Sequence, residues 1–189
     1  MNKRWLLVIV LAQALWVVAT ATTKEIAFAQ GERVLLATKP VDPRDMLRGD
    51  YLTLRFDISD VPLGKVRGDT PAEPLGKKIY VALVPVGKFH QIEFASFAAI
   101  PATAGRVLMR GTIDDRFAWM RNQQDDKAAA KALQVMYGLE RYYVAEGTGN
   151  PRGELTAEVS VSAGGEPLMR EVYIDGKPYR EAMAGQAKP

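Results

Sequence analysis

The stretch Asp42-Pro-Arg-Asp-Met-Leu-Arg-Gly-Asp-Tyr-Leu-Thr-Leu-Arg-Phe56 joins dense charge, turn chemistry and a strand signal in one place. Asp42 is a good helix N-cap, and Pro43 suits the first helical position because its missing N–H would have been an orphan. Asp45, three residues on, can reach back to the N–H of the cap. Gly49 supplies the left-handed residue that ends a helix. The pattern predicts one capped helical turn over residues 43–48, with Arg44 and Arg48 on one face and Asp45 at pairing distance from Arg48. From Asp50 the period changes. Leu52, Leu54, Phe56 and Ile58 alternate with Tyr51, Thr53, Arg55 and Asp57, which predicts a half-buried strand with its aliphatic face on a core.

Similar strand signals recur on either side. Residues 33–38, 78–84, 92–100 and 106–113 read as strands, with Gly111 weakening the last or marking a bulge. Leu155, Ala157, Val159 and Val161 alternate with polar residues up to Gly164-Gly165, a hairpin turn. Residues 168–174 return from it, and Asp175-Gly176 is a second tight turn. Residues 61–76 hold three prolines and three glycines and read as a loop. Residues 126–134 are rich in helix formers behind acidic caps and predict a short helix. The chain after Arg180 is expected to fray. The sum is seven to nine strands with one or two short helices: a mainly β, sandwich- or barrel-like domain.

Residues 5–21 (WLLVIVLAQALWVVATA) carry no charge and come after Lys3 and Arg4. This is a signal-peptide core or a transmembrane helix, and both export the chain beyond it because the positive flank stays inside. Ala19-Thr20-Ala21 has the small-x-small form of a cleavage site. The length of the apolar run, with Trp5 and Trp16, favours an uncleaved single-pass anchor. The expected organisation is an anchor or signal segment over 1–24, an extracytoplasmic β-rich domain over 25–182, either one unit or two subdomains split near 114–136, and a flexible tail over 183–189.

The chain has 189 residues, 48% of them hydrophobic and 25% charged, as a folded domain should. Its 25 basic and 22 acidic side chains give a net charge of +3. Setting aside Lys3 and Arg4 leaves 23 against 22, a balance that offers no basic surface for nucleic acid. The absence of cysteine excludes disulfides and thiolate chemistry.

Gly49-Asp50-Tyr51-x-x-Leu54-x-Phe56 resembles the signature of the GDYXXLXY family, membrane-anchored bacterial proteins of unknown function. The lead-in Pro40-Val-Asp-Pro-Arg-Asp-x-x-Arg48 is similar to that of the family. So are Tyr137-Gly-Leu-Glu-x-Tyr-Tyr-Val-x-Glu-Gly147 and Ile174-Asp-Gly-Lys-Pro178. The resemblance covers nearly the whole chain, with one departure: Phe56 stands where the signature ends in tyrosine. It implies an envelope domain behind one N-terminal anchor, at the bacterial inner membrane with its bulk periplasmic. It also implies association with a multi-pass membrane protein, and it supplies no catalytic residue or cofactor.

The chemistry-bearing residues divide between structure and function. Asp42, Asp45 and Asp50 are a cap, a capping partner and a strand entry, and two guanidiniums among them make a poor cation site. The same segment can present Arg44, Arg48 and Tyr51 to a carboxylate or phosphate, since arginine forks match such groups. The lone His90 and Ser59, Ser96, Ser160 or Ser162 lack a Gly-x-Ser-x-Gly turn. A Ser59 dyad with Lys77 or Lys78 lacks the serine expected just outside a membrane. Glu140 and Glu146 flank Arg141, Tyr142 and Tyr143; the alternation puts Tyr142 and Tyr143 on opposite faces, so that if Tyr142 faces inward Tyr143 faces outward and Glu146 opens a loop. The expected ligand- or partner-binding set is therefore Asp42, Arg44, Asp45, Arg48, Asp50, Tyr51 and Glu146, on a scaffold of Pro43, Gly49, Leu54 and Phe56. No catalytic residue, metal or cofactor is expected. The expected function is to bind or assist a multi-pass membrane protein. The alternatives are an anionic small-molecule or peptidoglycan-fragment binder and, behind it, a membrane-anchored hydrolase.

Overall fold

Leu52, Leu54, Phe56 and Ile58 are each no more than 2% exposed in the computed structural model of the chain. The alternation therefore picks out the buried face of the stretch. The structure describes residues 3–39, 51–101, 103–114, 132–144 and 151–186. Asp42, Pro43, Arg44, Asp45, Arg48, Gly49, Asp50 and Glu146 lie outside them, as does the capped turn expected over 43–48.

Helix α1 (Lys3–Gln30) is apolar around its whole circumference and buries no residue. Gly31 ends it, and β1 (Glu32–Ala37) begins. β1 pairs antiparallel with β10 (Leu155–Val161), β10 with β11 (Pro167–Ile174), and β11 with β12 (Lys177–Pro178). The Asp175-Gly176 turn between β11 and β12 has φ of 50° and 78°, the two left-handed residues that a two-residue hairpin needs. Asp175 holds this turn to the start of β10, accepting a hydrogen bond from the Glu154 amide at 2.8 Å.

The second sheet runs in the order β3-β8-β7-β5-β6-β4. Its strands are β3 (Asp60–Pro62), β4 (Val66–Arg67), β5 (Lys78–Val86), β6 (Phe89–Ser96), β7 (Val107–Ile113) and β8 (Ala132–Met136). β3 and β4 form opposite edges, yet only one 3-10 turn (Leu63–Lys65) separates them in the chain. The two edges must therefore lie close together, and the six strands curl into a nearly closed barrel. The loop expected over 61–76 instead holds the end of β3 and all of β4, and Pro62 is accommodated because it sits on an edge strand where its missing N–H is tolerated. Gly111 is required by close approach: a Cβ there would lie 2.3 Å from Val135 Cγ1 and 3.0 Å from the Met136 carbonyl.

A short ribbon of β2 (Tyr51–Thr53) and β9 (Arg141–Tyr143) bridges the sheets. Beyond it, the Leu54 amide donates to the Glu140 carbonyl at 2.9 Å and the Arg55 carbonyl accepts from the Lys39 amide at 2.7 Å. Phe56 forms a bridge with Thr38. The signature stretch is thus a seam, paired in turn with β9 and with the end of β1 before it enters the barrel as β3. Its side chains and those of both sheets belong to a single hydrophobic cluster. Each fully buried Leu, Ile or Phe contributes about 1.5–3 kcal/mol over its exposed state.

Several details differ from expectation. The strand predicted from Asp50 onward stops at Thr53, and a 3-10 turn (Asp57–Ser59) comes after Phe56. Of the helix predicted over 126–134, residues 126–131 lie outside the described residues. Ala132, Leu133 and Gln134 are strand, since pairing with β3 and β7 overrides their helix propensity. The chain after Arg180 continues as α2 (Tyr179–Gln186), because Tyr179 and Met183, one turn apart, both bury against the core. Twelve strands are described, several of only two or three residues, so the fold is more finely divided than seven to nine.

Candidate functional site

The signature stretch builds two polar regions, one buried and one open. The buried one starts at Arg55, which the alternation assigned to a solvent face. Its side chain is 6% exposed and its Nη2 donates to both oxygens of Asp60, at 2.9 and 2.8 Å. The 3-10 turn folds the chain back between them, which is why residues five apart can meet. Lys39, just beyond the end of β1, adds a second cation at 2.5 Å from Asp60 Oδ2. Ser59 closes the turn by accepting from the Phe56 amide at 3.3 Å. On the facing side, Glu140 is buried and its Oε1 accepts from the Tyr137 amide at 2.6 Å. The Tyr137 hydroxyl in turn donates to the Ile58 carbonyl at 2.9 Å. Burial, with Glu140 and Asp60 nearby, pushes that hydroxyl well above the usual phenol range.

Between these groups lies a cavity of about 10 Å³, lined by Arg55, Ser59, Asp60, Asp114, Gln134 and Glu140 among others. That is room for about one water molecule. The Arg55, Lys39 and Asp60 charges satisfy one another, and the region locks the seam to the barrel. Arg55 and Asp60 are the residues that sequence reasoning missed. The available signal was a pair of opposite charges flanking a turn-prone Ile-Ser, which a strand reading of residues 50–58 conceals.

The open region is the outer face of the β2–β9 ribbon. Tyr51 pairs in register with Tyr143, and their rings meet edge to face at 6.1 Å. The Arg141 guanidinium lies 5.2 Å from the centre of the Tyr51 ring. Tyr143 is 72% exposed, the most open aromatic of the β domain among the described residues. Leu52 and Tyr142 occupy the opposite face of the ribbon, where Tyr142 meets Tyr179 at 5.5 Å. The inward Tyr142 and outward Tyr143 are as the alternation requires. Burial, with the Glu171 carboxylate beside it, pushes the Tyr142 hydroxyl up. Tyr51 comes directly after Asp50 in the chain, and Tyr143 stands three residues before Glu146. Leu54 and Phe56, the remaining scaffold residues, are buried packing.

The four serines weighed as nucleophiles all have structural partners. Besides Ser59, Ser96 accepts from the Ala98 amide, Ser162 accepts from the Glu166 amide, and Ser160 donates to the Phe28 carbonyl. His90 lies on β6 opposite Pro85, half-buried, with no hydrogen-bond partner to its Nδ1 among the described residues.

The sequence model of the GDYXXLXY protein family matches residues 13–172, which include both regions and most of α1. The chain belongs to the GDYXXLXY family. Its signature residues Tyr51, Leu54 and Phe56 thus have distinct duties: one lies on the open ribbon face and two lie in the core. No curated protein and no solved structure shows significant similarity to the chain.

Proposed function

We propose that this GDYXXLXY protein is a single-pass, extracytoplasmic domain that binds a multi-pass protein of the same membrane. The observation that carries the reading is α1. It has 28 residues, a mean hydropathy of 2.1 over its best window and no residue buried against the β domain. A helix apolar on all sides needs a lipid or protein environment. A signal sequence meets the same criteria of length and composition. Retention is favoured because α1 runs unbroken past Ala21 and its last turn is bonded to the sheet. The hydroxyls of Thr20, Thr22 and Thr23 donate to carbonyls three or four residues back, so the helix satisfies its own polar groups as lipid demands. Lys3 and Arg4 set the orientation, with the β domain outside the bacterial inner membrane.

The proposed partner-binding set is Asp42, Arg44, Asp45, Arg48, Asp50, Tyr51 and Glu146, of which Tyr51 is among the described residues and lies on the open face of the ribbon. Exposed Tyr143 and Arg141 beside Tyr51 support it, because aromatic and arginine side chains dominate binding energy at interfaces. The test is purification of the full-length chain from its native membranes in several mild detergents. A multi-pass protein should be retained by the natural chain and lost from the Arg44→Ala/Arg48→Ala variant. Recovery of no membrane protein in any detergent would sink the reading.

A second reading, capture of an anionic small molecule or peptidoglycan fragment, is favoured by Arg141, whose guanidinium lies beside Tyr51. It requires anionic fragments to raise the melting temperature of the natural chain and not that of the same double variant.

A further inference from the structure

The end of α1 is built into the β domain rather than hung from it. Ser160 Oγ and Arg170 Nη1 both donate to the Phe28 carbonyl, at 2.7 and 3.0 Å. They satisfy an acceptor that the helix end would otherwise leave orphaned, and the cation suits the negative end of the helix dipole. The Arg170 guanidinium also lies 4.3 Å from the centre of the Phe28 ring. One turn earlier, Lys24 Nζ pairs with Glu166 Oε1 at 2.9 Å. Gly31 leaves no slack in the connection, since a Cβ there would lie 2.1 Å from Ser160 Oγ.

Glu166 belongs to the β10–β11 turn, which is itself firmly held. The Gly165 amide donates to the Ser162 carbonyl at 2.8 Å, the Ser162 amide donates to the Glu166 carbonyl at 3.0 Å, and the Gly165 carbonyl accepts from the Arg110 amide of β7 at 2.7 Å. β10 pairs Val161 with Glu32, so residues 162–166 run on past the start of β1 and alongside the last turns of α1. Ala163 and Gly164 at the tip are exposed and uncharged.

The length of α1 sets the height of this tip. From Arg4 to Lys24 the helix rises about 30 Å at 1.5 Å per residue, which matches the hydrocarbon thickness of a bilayer, about 30 Å. With Arg4 at one boundary, Lys24 stands at the other, and its partner Glu166 stands with it. Phe28 lies about 6 Å further out.

We infer that the β10–β11 turn is a membrane-apposed foot, its Ala163-Gly164 tip seated in the lipid headgroup layer beside α1. The Phe28–Ser160–Arg170 junction holds the whole β domain upright on it. The inference rests on the anchored reading of α1. The tip is neutral and the Lys24–Glu166 charges cancel, so the foot needs no anionic lipid and its surface is a zwitterionic headgroup layer.

The chain has no cysteine, so single cysteines carry unique labels. Val10→Cys, Ala163→Cys and Lys177→Cys, each with an environment-sensitive fluorophore, report depth in full-length protein reconstituted into phosphatidylcholine vesicles. Lys177 is exposed beyond the far end of β11 and serves as the distant control. Quenching is expected from deep acyl-chain nitroxides at position 10, from headgroup nitroxides at 163, and from neither at 177. Quenching at 10 with none at 163 would overturn the foot and leave the anchor standing. No quenching at 10 would overturn the anchor itself. Adding Ser160→Ala and Arg170→Ala to the Ala163→Cys chain should cut the headgroup quenching while circular dichroism stays native. Unchanged quenching in that folded variant would show that the junction does not hold the foot.

Discussion

Arg141 lies on the short β2–β9 ribbon and Arg55 just beyond its end, and the two do opposite work. Arg55 is enclosed, with both oxygens of Asp60 on its Nη2 and a cavity with room for about one water beside it. Arg141 is exposed, and its guanidinium stands over the Tyr51 ring. A charged residue in or beside the signature stretch is therefore no guide to function by itself. What separates the two is whether the charge is already spent on a neighbour within the fold. The buried region should answer to stability measurements and the open one to binding measurements, and substitutions can test that division directly.

The largest effect is expected from Arg55→Ala. Among the described residues it leaves Asp60 in a buried site with Lys39 as its remaining cation, and removing one partner of a buried ion pair costs about 3–5 kcal/mol. Urea unfolding of the chain in detergent would register this as a fall in the midpoint. Arg55→Met combined with Asp60→Leu should recover most of the loss, because the penalty is the stranded charge rather than the missing attraction. A double variant as unstable as the single one would show that the pair is needed for its geometry. A loss below about 1 kcal/mol for Arg55→Ala would place this ion pair in the class of surface pairs.

The same contrast explains what the sequence disclosed. The core of the seam was legible because Leu52, Leu54, Phe56 and Ile58 keep alternate positions even where the strand gives way to a 3-10 turn. The hairpin at Gly164-Gly165 and the turn at Asp175-Gly176 were legible from turn chemistry alone. Arg55 was not, because period-two alternation assigns faces only while the backbone stays extended, and here the sheet partner changes between Thr53 and Phe56. β8 was hidden for another reason: Ala, Leu, Gln and Met in Ala-Leu-Gln-Val-Met favour helix, and long-range pairing overrides them. At the open site, Tyr51 was legible from its place on the polar face. Arg141 became a neighbour of Tyr51 only through pairing across a long stretch of chain.

A smaller effect is expected at Tyr137, which joins the buried region to the 3-10 turn. Its hydroxyl keeps its proton in the fold well above the ordinary phenol value of 10.0, while an unfolded chain would release it near that value. The unfolded state thus binds fewer protons, so stability is full below pH 10.0 and falls as pH rises beyond it. Tyr142, Tyr173 and Tyr179 are shifted the same way and add to the slope. Tyr137→Phe should cost about 1 kcal/mol at neutral pH, for the bond to the Ile58 carbonyl, and should flatten the alkaline decline. Denaturant titrations on both sides of pH 10.0 would check it, and an unchanged alkaline slope would mean that the phenol ionises within the fold.

The smallest effect on stability, and the sharpest test of the comparison, is expected from Tyr143→Ala and Arg141→Ala. Both side chains are exposed, and truncations away from buried features usually stay within about 0.5 kcal/mol. Their edge-to-face and cation–π contacts with Tyr51 are solvent-facing and add little to the fold. If the ribbon face is a recognition surface, these variants should unfold like the natural chain yet lose the co-purifying membrane protein. Tyr51→Ala should fall between the two classes, since its half-buried ring supports β9 as well as facing outward. Destabilisation by Tyr143→Ala of the size seen for Arg55→Ala, with partner retention intact, would make the open face another structural seam. Partner binding would then have to be sought on α1 itself, an apolar surface that the β domain leaves uncovered.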